Sequence, residues 1–198
     1  MRVTSGEWKG FPLDFPKDRT FRPTQEKVRA AVFNILQSQI RGADFLDLYC
    51  GTGAMGFEAI SRGASTVTLV DTNSRFTEKN RDASVARLLP ETQDETRRRI
   101  TVVSATVPDY LRQVKQSFDV IFMDPPWDQE GLYKDTFRLI AGSDILRLDG
   151  VLCCEYPKRL EFALPSGLAI GHQYAYSDTM VSMIFRREVT HASGDLPG

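Results

Sequence analysis

The chain has 198 residues, 41% of them hydrophobic and 26% charged, with a net charge of −1 at neutral pH, which suits one soluble domain with a full-sized core. No apolar run approaches the roughly 18 residues of a membrane span, and the opening MRVTSGEWKG has no apolar stretch of the kind an export signal needs, so a cytoplasmic protein is expected. Three cysteines with no CxxC pair cannot build a disulfide framework, and two histidines without ligand spacing give no metal site.

Residues 1–20 read as short strands separated by turns, Arg2–Thr4, a Ser5-Gly6 turn, then Trp8 and Gly10–Leu13, with Pro12 and Pro16 placing them at an edge. Charge concentrates here. Residues 1–30 hold seven Lys/Arg against four acids, a net of +3, which leaves −4 for the rest. A basic arm on a mildly acidic body fits either a phosphate-gripping edge or a plain solvated segment. After Arg22-Pro23, Thr24 can cap a helix of about 15 residues carrying Val28, Ala31, Val32, Ile35 and Leu36 on one face.

Strand and helix patterns then alternate. Phe45–Tyr49 reads as strand, Ala54–Ser61 as helix, Thr66–Val70 as strand, and Asn73 to about Leu89 as a polar helix. Residues 90–99 are polar and turn-like, with Arg97–Arg99 as a solvated triplet. Ile100–Val103 is predicted strand, Pro108–Gln116 helix, Phe118–Met123 buried strand, 131–141 helix and Val151–Tyr156 strand. Two β segments near Leu168–Tyr176 and Met180–Arg186 are close enough to pair antiparallel, and residues after Glu188 read as a loose tail. The pattern predicts a doubly wound, mostly parallel α/β sheet with an antiparallel pair at one edge. Its ligand should sit at the strand carboxyl ends, near the switch in strand order.

Two motifs fall at strand ends. The first is Asp47-Leu48-Tyr49-Cys50-Gly51-Thr52-Gly53-Ala54-Met55-Gly56, a Gly-x-Gly-x-x-Gly loop between strand and helix, followed by Asp71 at the offset where an acid meets a ribose diol. Such a loop serves dinucleotides and S-adenosylmethionine (SAM) alike. Asp47, just ahead of the glycines, offers an acceptor for the ammonium of SAM and tilts the reading from NAD to SAM. The bland alternatives are a cap on the glycine turn for Asp47 and a cap on the next helix for Asp71.

The second motif is Asp124-Pro125-Pro126-Trp127. Paired prolines remove two backbone donors and leave carbonyls that only accept. With Asp124 alongside, the site accepts N–H bonds and offers none, which suits an exocyclic amine of a nucleic-acid base. Trp127 adds a flat face for stacking, worth about 1–3 kcal/mol per base. The bland alternative is a strand-ending turn with a core tryptophan.

Taken together these residues resemble class I SAM-dependent methyltransferases with the N-methylating signature [DNS]-P-P-[YFW]. More narrowly the chain resembles the RsmD family of bacterial small-subunit ribosomal RNA guanine-2-amino methyltransferases. The resemblance is carried by Arg2–Gly10, by Arg22-Pro23-Thr24 with Val28-Arg29 and Phe33-Asn34, by Asp47–Gly53 and by Glu58–Ala64. It implies a seven-stranded Rossmann-like sheet with an N-terminal β-hairpin arm over 1–22, a SAM-dependent domain over 23–188 and a tail over 189–198. It implies SAM binding by Asp47, Tyr49, Gly51, Thr52, Gly53, Asp71, Thr72 and Thr106, and catalysis by Asp124, Pro125, Pro126 and Trp127. RNA contact falls to Trp8, Lys9, Arg19, Arg22 and Thr24, in a monomer acting on the small ribosomal subunit or an assembly intermediate. Ser104-Ala105-Thr106 departs from the Asp or Asn common in such proteins at the adenine position, and Trp127 replaces the commoner Phe or Tyr. A methyltransferase for another RNA, DNA or protein amine is the competing reading, and a nucleotide-binding oxidoreductase or non-catalytic Rossmann module the third.

Overall fold

A computed structural model describes residues 1–16 and 23–187. Its elements, in chain order, are α1 (Pro23–Ile35), α2 (Gln37–Ile40), β1 (Asp44–Leu48), α3 (Ala54–Ser61), β2 (Thr66–Asp71), α4 (Arg75–Val85), α5 (Pro90–Arg98), β3 (Ile100–Ser104), α6 (Val107–Gln113), β4 (Phe118–Met123), α7 (Gly131–Ala141), β5 (Leu146–Pro157), β6 (Leu168–Tyr176) and β7 (Thr179–Arg186). Seven strands form one sheet in the order β3-β2-β1-β4-β5-β7-β6. The first five are parallel, while β7 runs antiparallel to both β5 and β6. The expected doubly wound sheet with an antiparallel edge pair is what forms. Strand order reverses between β1 and β4, and both sequence motifs leave the sheet there.

Side chains alternate across the sheet as the two-residue period of a strand requires. Phe45, Val67, Leu69 and Val120 enter one core with Val28, Val32 and Phe33 of α1 and Phe57 of α3. Leu46, Leu48, Val70 and Ile121 enter the other with Leu111 of α6 and Phe137 of α7. A continuous apolar run such as Val120–Met123 therefore buries both faces of the sheet.

The N-terminal residues belong to the first of these cores. Val3, Trp8 and Leu13 are buried in it, and the expected hairpin shrinks to a single antiparallel bridge, Arg2 with Pro12. Trp8 is only 3% exposed and stacks on Phe11. An RNA-contacting role for Trp8 is thereby corrected, because its ring has no free face to offer a base. Lys9 is exposed. Arg19 and Arg22 lie outside the described residues, as does the expected tail. Thr24 falls inside the first turn of α1, which starts at Pro23, a residue pre-shaped for that position.

Residues 90–98 correct a second expectation, since they form a helix and not a turn. Pro90 starts it, Glu91 lies in its first turn and Arg97 and Arg98 in its last, so the charges oppose the helix dipole at both ends. Apolar periodicity gives no sign of it because only Thr96 is buried. Two arginines of the 97–99 triplet are pinned: Arg97 donates to Asp82 at 2.6 Å, and Arg99 donates to the Ser65 and Ala64 carbonyls.

Candidate active site

The end of β1 turns sharply into α3, and each glycine of the loop has its own reason. Gly51 and Gly53 take φ of +55° and +79°, a region costly for residues with a Cβ. A Cβ on Gly51 would meet nothing within 4 Å, so that side of the turn is open. A Cβ on Gly56 would fall 2.2 Å from Leu69 Cδ2; its absence lets α3 lie close against β2. Tyr49 also has positive φ, +61°, and its hydroxyl pairs with Thr136 at 2.8 Å.

Acids organise this loop. Asp47 is 1% exposed and its Oδ2 accepts the Gly56 N–H at 3.0 Å, which realises the turn-capping alternative for one of its two oxygens. Asp71 accepts the Gly51 N–H at 2.9 Å and the Asn73 N–H at 2.9 Å, so it clasps the loop from the neighbouring strand and does not cap α4, whose N-cap is Ser74. Two residues the sequence reading missed complete the support. Thr77 donates to the Gly51 carbonyl at 2.8 Å. Asn80 donates to the Thr52 and Asp14 carbonyls and accepts from the Asp14 N–H, tying the loop to the N-terminal segment. Both sit on α4 as polar side chains on the inward face of a polar helix, which no local pattern distinguishes.

The Asp124-Pro125-Pro126-Trp127 turn leaves β4 beside this loop. Its acceptors are partly occupied: the Trp127 indole N–H donates to Asp124 Oδ1 at 3.3 Å, and the Tyr133 hydroxyl donates to the Pro125 carbonyl at 3.2 Å. The expectation of a wholly free Pro125 carbonyl is corrected, although a carbonyl keeps a second lone pair. Tyr133 went unnoticed because a tyrosine at a buried helical position reads as core. Thr106 lines the cavity but works as the N-cap of α6, accepting the Asp109 N–H at 3.2 Å and donating to its carboxylate at 2.7 Å. Thr72 is exposed.

A cavity of about 1030 Å³ brings these parts together, lined by Asp47, Tyr49, Gly51, Thr52, Asp71, Thr72, Thr106 and the whole 124–127 turn. That is at the upper end of small-molecule sites, about 300–1,000 Å³. Gly53 alone of the expected cofactor residues is absent from the lining; it shapes the turn from behind, where a Cβ would strike Phe57. Glu155 of β5 and Asp178 add two further carboxylates to Asp47, Asp71 and Asp124, and Arg29 also lines the cavity. Burial pushes the Asp47 carboxyl up to about 8, with the Asp71 and Asp124 charges adding to the rise. Burial likewise pushes Asp124 up to about 6, against the pull of the Trp127 hydrogen bond. Glu155 rises well above its ordinary value through burial and the Asp124 charge. Acids whose ionised form is disfavoured in this way favour a positively charged ligand, which restores that form. The described residues contain no group of acids, histidines and cysteines able to hold a metal ion, and no described helix is long and apolar enough to cross a membrane.

A seven-stranded sheet of this order, with a glycine loop after β1 and an acid–proline–proline–aromatic turn after β4, defines a class I methyltransferase. The chain belongs to the family described as conserved hypothetical protein 95, whose model matches residues 1–185. It is 28% identical to the ribosomal RNA small subunit methyltransferase D of Escherichia coli K12 over 166 residues, covering 84% of this chain and 78% of that protein. It is 30% identical over 188 residues to YlbH of Bacillus subtilis, itself named as a proposed rRNA methyltransferase, covering 94% of this chain and 100% of the relative. The solved structure of the E. coli protein yhhF superposes with a TM-score of 0.76 at 24% identity, covering 94% of this chain and 97% of that one; at that identity the likeness is one of fold.

Proposed function

We propose that this chain transfers a methyl group from SAM to the 2-amino group of a guanine in small-subunit ribosomal RNA, as a cytoplasmic monomer acting on the small subunit or an assembly intermediate. One observation carries the reading: Asp47 near the end of β1 and the Asp124-Pro125-Pro126-Trp127 turn after the adjacent strand β4 line the same cavity. The names of the E. coli and B. subtilis relatives support the RNA class, and a structural neighbour, SMU.776, at TM-score 0.54 and 18% identity, is complexed with SAH.

The lining fits SAM. Its ammonium and sulfonium are both cationic, matching a cavity edged by Asp47, Asp71, Asp124 and Glu155. Gly51 leaves open space where a side chain would intrude, and Asp71 ends β2 at the ribose offset. Asp47 would hold the ammonium, Asp71 the ribose hydroxyls, and residues 105–107 would line the adenine. When bound, SAM supplies an electrophilic methyl group on a positively charged sulfur.

The protein's own share is positional. Asp124 accepts one N–H of the base amine, and the second lone pair of the Pro125 carbonyl takes the other. Held at both hydrogens, the nitrogen turns its lone pair toward the donor; orientation of this kind is worth about 7–11 kcal/mol. The Trp127 hydrogen bond fixes the Asp124 carboxylate, and the indole face packs on the base. Once the nitrogen carried the methyl group, Asp124 would take its surplus proton and pass it to water. A paired base must first leave its stack, which favours an opened RNA segment.

Mass spectrometry of ribosomal RNA nucleosides, from a strain lacking the gene and after adding purified protein and SAM, tests this. N2-methylguanosine should be missing from the strain and restored on small subunits at one mapped nucleotide. Methylation of DNA, of a protein amine or of another base would overturn it.

A further inference from the structure

Glu155 stands in an otherwise apolar stretch, Gly150-Val151-Leu152-Cys153-Cys154-Glu155-Tyr156, whose residues Val151–Cys154 are buried. The parallel register of β4 and β5 pairs Met123 with Cys154. One position further along, Asp124 begins the turn after β4 while Glu155 stays within β5, opposite Val181 of β7; by strand alternation Glu155 faces away from the Cys154 side, and both acids line the cavity. Among the described residues no cation and no hydrogen-bond donor meets the Glu155 carboxylate; the charge that acts on it is Asp124. A carboxylate placed in a strand core with a like charge beside it does nothing for folding, so its use must lie with what enters the cavity.

The proposed amine site supplies that use, and this inference rests on it. The 2-amino group of guanine is flanked by N1–H, so two kinds of donor stand in a row on one edge. The amines of adenine and cytosine are flanked instead by a ring nitrogen lone pair. Two neighbouring acceptors match the first pattern and repel the second. We propose that Glu155 accepts the N1–H of the target guanine while Asp124 accepts an N–H of its 2-amino group, which makes Glu155 the residue that selects the base. The positive charge of the methyl donor offsets the repulsion between the two acids, so both can accept.

The probe is 2-aminopurine, which keeps the 2-amino group but has a lone pair at N1. Small subunits are reconstituted from 16S rRNA carrying either guanine or 2-aminopurine at the nucleotide mapped above, and methyl transfer is measured with wild type and with Glu155→Gln. Wild type should prefer guanine by at least about 10²-fold, because a site built around a donor rejects the analogue lacking it. Glu155→Gln should lose about 10–100-fold on guanine, the worth of a hydrogen bond to a charged group. It should also narrow the guanine/2-aminopurine ratio at least about tenfold, since an amide can donate to N1. Its SAM affinity by calorimetry should stay near wild type, which reports that the variant is folded.

Wild type using both bases equally, or preferring 2-aminopurine, overturns the inference without any variant. So does a Glu155→Gln protein that loses the same factor on both substrates. If wild type makes no N2-methylguanosine on guanine-bearing subunits, the proposed function itself fails and takes this inference with it; that outcome is read before any ratio is taken.

Discussion

Asp124 is held by one hydrogen bond from Trp127 and pressed by burial to about 6, so its acceptor form fills in around the acid side of neutrality. Asp124→Ala should lower turnover about 10²–10³-fold, the usual loss on removing one partner aimed at the reacting group, with SAM affinity by calorimetry nearly intact. A matching fall in SAM affinity would move Asp124 to the cofactor site. Asp47 behaves differently. Its ordinary value of 3.8 becomes about 8 in the folded, ligand-free protein, so between those limits the folded state keeps a proton the unfolded chain has released. Its contribution to stability is therefore fullest below about pH 4 and is lost as the pH climbs through about 8. A cation in the cavity reverses the preference. Binding of SAM at pH 7 should release close to one proton, seen by calorimetry in buffers of different ionisation heat; a heat independent of buffer would remove Asp47 from the ammonium site.

Single atoms decide how the elements pack. Gly6 lies at φ +80°, and a Cβ there would fall 1.9 Å from the Ser61 carbonyl oxygen at the end of α3. That close approach lets the Glu7 N–H reach the same carbonyl and the Trp8 N–H reach Ser61 Oγ, both at 2.9 Å. Gly6→Ala should cost about 2–4 kcal/mol from backbone strain plus displaced packing, read as a lower midpoint in urea. The glycine loop and the Asp-Pro-Pro-Trp turn were legible in the sequence because each is a local device, with its chemistry carried by consecutive residues. Helix α5 was not, since a helix held by its termini and by Arg97 on Asp82 leaves no apolar stripe to read. Asn80, Tyr133 and Glu155 were also missed. Each looks ordinary beside its neighbours and gains its role from a residue on another element.

At the scale of the molecule, the N-terminal segment is part of the core and is tied to the glycine loop through Asn80, which bonds both Asp14 and Thr52. Buried Glu58 of α3 accepts from the Thr4 backbone and hydroxyl at 2.7 and 2.6 Å and from Arg62 at 2.8 Å, while Arg29 donates to the Arg2 carbonyl at 2.7 Å. Trp8→Ala should cost about 3–5 kcal/mol, the usual price of emptying a large aromatic site, measured by chemical denaturation in one cooperative transition. Among the described residues, Lys9 is the exposed basic candidate of this segment. Lys9→Glu should weaken binding of ribosomal RNA and lower its salt slope by about one counterion; an unchanged slope by filter binding would take Lys9 off the interface.

The order of apolar runs and turns by itself determined the alternating fold, the glycine loop after β1 and the Asp-Pro-Pro-Trp turn after β4. Those features rest on backbone periodicity and on neighbours along the chain, which a linear text records. Only the tertiary structure decided that Trp8 faces inward, that Asp47 serves a helix end as well as the cavity, and that Glu155 stands beside Asp124. Strand order and burial create these relations, and both depend on contacts between residues far apart in sequence.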